Sequence, residues 1–213
     1  MDSWNDFVQN INNLPNNINK FTTPKFESES FMDLKYKIDS LLDDICCKNT
    51  SFNIVKYIKK GKVYNNILSG TKNESILLFH DKILPPLLKK STYIPLIILL
   101  MDDVDTHMMS IIIDNKTKKI ILFDNENYNY NILHKIINKM GLNKLSYKII
   151  QPSIKNYESK LGRCELCSHL TYLFLIAYIK YNQSLDDFIK QFMNLKMEES
   201  SIFFSKFINY IEK

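Results

Sequence analysis

The chain has 213 residues, enough for one domain or one compact domain with an appended helical lobe, and 45% hydrophobic against 24% charged residues suffices to bury a core. Its formal net charge is +5, yet Arg163 is the only arginine, and the lysines are scattered among asparagines and isoleucines without interleaved aromatics. That argues against a nucleic-acid reader, which uses arginine forks for phosphate and guanine, and leaves a weak preference for acidic surfaces.

The opening MDSWNDFVQN has no basic segment followed by an apolar one, so no secretory signal is expected. Residues 9–19, QNINNLPNNIN, are polar and turn-prone. Phe31, Leu34, Ile38, Leu41, Leu42 and Ile45 recur at helical spacing and predict an amphipathic helix over 29–47. Residues 52–68, around Gly61, fit either a hairpin or a short helix followed by a strand. Pro85-Pro86 ends any element crossing 83–88. The most apolar run, IPLIILLM from Ile94 to Met101, is far too short to span a bilayer and predicts a buried strand over 93–100. The acidic turn MDDVD then leads into His107. A hairpin follows, with strands near 108–113 and 119–123. Ile132, Leu133, Ile136, Ile137 and Met140 mark a helix closed by Gly141, and Ser146–Ile150 forms a short strand ending at Gln151. A loop runs to Gly162, Cys164 opens a largely apolar helix to about Tyr181, and two amphipathic helices near 184–195 and 198–212 close the chain. This order predicts an α+β domain. Four cysteines without a secretory signal point to free thiols in a reducing compartment, the cytoplasm.

Four residue types suggest chemistry. A hairpin turn centred on Asn115 and Lys116 sets His107 directly opposite Asp124. An opposed carboxylate fixes an imidazole tautomer and raises the ring's basicity. In Gly162-Arg163-Cys164-Glu165-Leu166-Cys167-Ser168 a thiol follows a glycine turn at the head of a helix. Unpaired N–H groups there favour the thiolate and stabilise an oxyanion on an attacked carbonyl. Gln151, at the end of a strand before the cysteine loop, has a side-chain amide suited to the same oxyanion. Cys164 and Cys167 also form a lone C-x-x-C, which with His169 leaves zinc or redox roles open.

The order His, Asp, Gln, Cys resembles that of the ubiquitin-like-protein-specific and adenovirus-type cysteine proteases. Tyr93-Ile94-Pro95-Leu96 resembles the strand before the family histidine. His107 to Asp114 resembles its H-W-x-L-x-x-x-D segment, and Ile121-Leu122-Phe123-Asp124 its acid-bearing strand. Gly162-x-Cys164-x-x-Cys167-Ser168 is similar to the G-x-C-x-x-W-S of the branch found in large cytoplasmic DNA viruses. The likeness covers roughly residues 93–182. It departs at Met108 and Cys167, where the family has tryptophan.

The resemblance implies a papain-like fold in permuted chain order, with a central mixed sheet flanked by helices. It implies Cys164 as nucleophile, His107 as general base, Asp124 as its orienter and Gln151 as oxyanion donor, without metal or organic cofactor. Residues 91–213 then form the catalytic core, and residues 1–90 a mostly helical lobe for substrate docking or regulation. The expected partner is a protein cleaved after Gly-Gly or Gly-x. A viral structural or core polyprotein comes first and a ubiquitin-like conjugate second, and a catalytically inactive binding relative is the rival from another class. Membrane insertion is not expected.

Overall fold

The computed structural model describes residues 3–15, 53–58, 64–66, 88–89, 91–101, 106–125, 130–154, 167–193 and 195–211. Along them run α1 (Trp4–Asn12), β1 (Asn53–Ile58), β2 (Tyr64–Asn66), β3 (Tyr93–Met101), β4 (Thr106–Asp114) and β5 (Lys119–Phe123). Then come α2 (Tyr130–Lys139), a 3-10 turn (Leu142–Lys144), β6 (Lys148–Ile150), α3 (Cys167–Tyr181), α4 (Leu185–Phe192) and α5 (Met197–Ile211). The helix expected over 29–47, residues 102–105 of the MDDVD turn and the Cys164 loop lie outside the described residues.

The strands form one six-stranded sheet in the order β2-β1-β3-β4-β5-β6. β1 runs parallel to β3 and β5 parallel to β6, while the other pairs are antiparallel, so the α+β fold has a mixed sheet. Of the two readings for residues 52–68, the antiparallel pairing of β1 with β2 selects the hairpin.

Side chains of β3, β4 and β5 alternate between two cores. Ile97, Met108, Ile112, Ile121 and Phe123 pack with α1, α3, α4 and α5, whereas Ile98, Met109, Ile111, Ile120 and Leu122 pack against α2 and the 3-10 turn. Burial on both faces explains why these strands read as continuous apolar runs rather than alternating ones. α3 is apolar all round for the same reason. Its residues from His169 to Ile179 are buried between the sheet and the C-terminal helices. Gly141 takes φ 67° just past α2, a conformation that costs a Cβ-bearing residue about 1–2 kcal/mol. No helix among the described residues is long and apolar enough to cross a membrane.

α1 was not anticipated, although its signals are present in the sequence. Ser3 and Asp6 form a capping box, with the Ser3 N–H donating to Asp6 Oδ2 at 2.8 Å and the Asp6 N–H to Ser3 Oγ at 3.1 Å. Trp4, Phe7 and Ile11 then fall at helical spacing and enter the same core as α3, α4 and α5. The Trp4 indole lies 5.5 Å from the Tyr181 ring and 5.9 Å from Phe192, and donates to Gln191 Oε1 at 2.7 Å. On α5, Lys206 Nζ donates to the Asn12 carbonyl at 2.6 Å. The described segments of residues 1–90 are thus packed into the core of the later part or hydrogen-bonded into its sheet.

Candidate active site

The hairpin carries the first two residues of the site, in a register that differs from expectation. Asp114 pairs with Lys119 and Ser110 with Phe123, around a four-residue turn at 115–118. A two-residue turn needs positive φ at both central positions, which suits Asn-Gly and penalises Asn115-Lys116. Instead the Asp114 carboxylate accepts from the Thr117 N–H at 2.9 Å and the Thr117 hydroxyl at 2.6 Å, and within the turn only Lys118 takes positive φ, 56°.

His107 and Asp124 are therefore not directly opposed. The displacement is two residues, however, and an even displacement keeps every side chain on its face. Continued past its last pair, the register sets Asp124 across from Met109 and diagonal to His107. Diagonal Cα positions are about 7–8 Å apart, within reach of an imidazole. His107 Nε2 lies 2.6 Å from Asp124 Oδ1. Tyr130, the first residue of α2, holds Asp124 from the other side by accepting its backbone N–H at 3.3 Å.

Asp124 is fully buried and His107 is 8% exposed. Burial pulls the His107 pKa down. Hydrogen bonds to Asp124 and to Cys167, together with the charges of both, outweigh it and carry the pKa to about 10. The direction of that shift favours the protonated ring at neutral pH.

The second group acting on the ring was not anticipated. Cys167 is buried at the head of α3, outside any disulfide, and its thiol is near enough to the His107 ring to help raise the ring's pKa. Cys164, which the motif favoured, lies outside the described residues. A usable signal existed: Cys167 stands two residues before the largely apolar run from His169 that becomes the buried part of α3, whereas Gly162 drew attention to Cys164, three residues upstream.

Gln151 is exposed and follows β6, with Oε1 3.2 Å from His134 Nε2 on α2. Because β5 and β6 are parallel and Ile121 pairs with Ile150, Gln151 and Asp124 leave the sheet at the same end. The structure thus joins His107 to Asp124 by a hydrogen bond, brings Cys167 to the same ring, and sets Gln151 at the end of the sheet where Asp124 leaves it. Met108 is buried beneath α3 and fills core volume. No group of three or more His, Cys, Asp or Glu side chains suited to a metal ion gathers among the described residues.

No family model and no curated protein matches the chain. Solved structures are similar to it. The Chlamydia trachomatis effector Cdu1 bound to ubiquitin aligns at 16% identity and a TM-score of 0.45, over 61% of this chain and 64% of that one. The C. trachomatis effector ChlaDUB1 aligns at 13% identity and a TM-score of 0.47, over 86% and 70%. The SUMO protease Ulp1 with its catalytic cysteine oxidised to a sulfinic acid aligns at 12% identity and a TM-score of 0.45, over 84% and 74%. The chain therefore spans less than two thirds of the Cdu1 chain it matches.

Proposed function

We propose that this chain is a cysteine peptidase in which Cys167 is the nucleophile, His107 its proton partner and Asp124 the group that orients His107. One observation carries the reading: a buried His107–Asp124 hydrogen bond with the Cys167 thiol against the same imidazole, assembled from the end of β5, the start of β4 and the head of α3. Two of these residues are ionisable and buried around a thiol, a costly arrangement that structural packing alone does not call for.

The chemistry follows from the charges. Nε2 is engaged by Asp124, so Nδ1 is the nitrogen that exchanges a proton with the sulfur. In the reactive ion pair the thiol proton resides on the imidazole and the sulfur attacks as thiolate, its charge stabilised by the imidazolium. Attack on a scissile carbonyl forms the C–S bond and an oxyanion, for which N–H groups at the head of α3 and the Gln151 amide are the donors. Collapse breaks the C–N bond, and His107 gives its proton to the departing amine. His107 then takes a proton from water, whose hydroxide cleaves the thioester and releases the sulfur as thiolate, restoring the thiolate–imidazolium pair.

Choosing Cys167 removes the basis for assigning the chain to the branch of large DNA viruses. That likeness places the nucleophile at Cys164 and a tryptophan at the position of Cys167. The substrate is a protein cut after small residues. Conjugates of ubiquitin-like modifiers come first for testing, because the similar structures include a ubiquitin-bound effector and a SUMO protease, and polyprotein processing comes second. The test is labelling with ubiquitin and SUMO carrying a C-terminal electrophile, with the adduct mapped by mass spectrometry. Labelling at Cys167 that Cys167→Ser abolishes and Cys164→Ser leaves intact is the expected result. An adduct on Cys164, or wild-type cleavage by the Cys167→Ser protein, overturns the assignment.

A further inference from the structure

The distance between sulfur and imidazole depends on how α3 lies against β4, and most of that contact is apolar. Met108 and Ile112 of β4 meet a helix whose neighbouring residues are uniformly hydrophobic. Apolar burial is non-directional, so it holds the helix down without fixing its position along or around its own axis. Directional bonds have to do that, and hydrogen bonds near each end of the contact join α3 to β4. At the far end the Tyr178 hydroxyl donates to Asp114 Oδ2 at 2.9 Å. At the near end the fully buried Thr171 hydroxyl donates to the Met108 carbonyl at 3.2 Å.

The near bond lies close to the chemistry in sequence on both sides. Thr171 is four residues after Cys167, so the two side chains share one helix face a single turn apart. Met108 is the residue after His107. A buried helical threonine ordinarily donates to the carbonyl a turn back in its own helix. This one reaches across to the strand instead. One helix turn therefore carries the thiol and the hydroxyl, and one strand step carries the ring and the carbonyl that receive them.

We propose that Thr171 is a positioning residue: its hydroxyl pins the first turns of α3 to the strand bearing His107 and so fixes the Cys167 sulfur against the imidazole. The inference rests on the proposed His107–Cys167 pair and is tested separately from it. Thr171→Val keeps the branched shape without the hydroxyl, and Thr171→Ser keeps the hydroxyl. The primary readout is the rate at which iodoacetamide alkylates Cys167 at pH 7, resolved by residue with mass spectrometry. The second is the His107 ring signals in NMR, and the third is kcat and KM on whichever modifier substrate is cleaved. Thr171→Val is expected to stay folded, to alkylate roughly tenfold more slowly, with kcat reduced to match and KM unchanged, which corresponds to about 1.4 kcal/mol. Thr171→Ser is expected to recover most of the rate. If the valine variant does not fold, Thr171→Ala replaces it with the same expectation.

Wild-type alkylation rate and unmoved His107 signals in Thr171→Val overturn the proposal, as does a serine variant as impaired as the valine one. Failure of the peptidase reading looks different. There, wild-type Cys167 reacts no faster than an ordinary thiol and His107→Ala leaves its rate unchanged, whatever the state of Thr171.

Discussion

Replacing Asp124 by asparagine removes one charge from the centre of the site while keeping the side chain's size and a carbonyl oxygen for His107. Asp124 Oδ1 lies 2.6 Å from His107 Nε2, and Asp124 is fully buried, so the pair is little screened by water or salt. A carboxylate at this range shifts a partner's pKa by roughly 1–3 units, and each unit is worth about 1.4 kcal/mol. In Asp124→Asn the His107 pKa is therefore expected to fall from about 10 to between about 7 and 9. The wild-type value lies above the ordinary 6.5, so the folded state binds this proton more tightly than the unfolded chain does. The associated stability is fully present below pH 6.5 and is lost as the pH rises through about 10. In the variant the loss is complete at a lower pH. The wild type should thus exceed the variant by roughly 1–4 kcal/mol near pH 6 and converge with it above pH 10. Ring-proton NMR titration of His107 reads the pKa, and urea unfolding at pH 6 and pH 10 reads the stability. A His107 pKa within a few tenths of wild type in Asp124→Asn would refute the idea that this bond holds the proton.

Two further substitutions address the margin of the site and the docking of the N-terminal helix. If Gln151 donates to the oxyanion, Gln151→Ala lowers kcat by roughly 10²–10³ with KM little changed, and a loss under threefold in steady-state kinetics removes it from the site. Trp4→Ala deletes a buried aromatic side chain and its bond to Gln191, and is expected to cost about 3–5 kcal/mol in urea unfolding. Because Trp4 shares a core with α3 and α4, that loss should appear in one cooperative transition. A separate early transition, leaving the rest of the protein unmoved, would instead mark the first residues as an independent lobe.

Local patterning carried much of this protein. Apolar runs bounded by turn residues located β3, β4 and β5, and helical spacing with Gly141 located α2, because these signals depend only on neighbours within a dozen residues. The even spacing of the hairpin brought His107 and Asp124 to one face even though the turn itself was misjudged, since side-chain direction along a strand has a period of two and tolerates an even error. Two decisions were beyond local reach. The capping box of α1 is readable at Ser3 and Asp6, but that this helix docks on α4 and α5 depends on partners nearly two hundred residues away. The choice of thiol is the other. The motif favours Cys164, but which side chain of α3 reaches the strand bearing His107 depends on how the helix packs, which no motif encodes. The packing of α3 against β4, fastened at Thr171 and Tyr178, brings Cys167 to His107, while Cys164 lies outside the described residues.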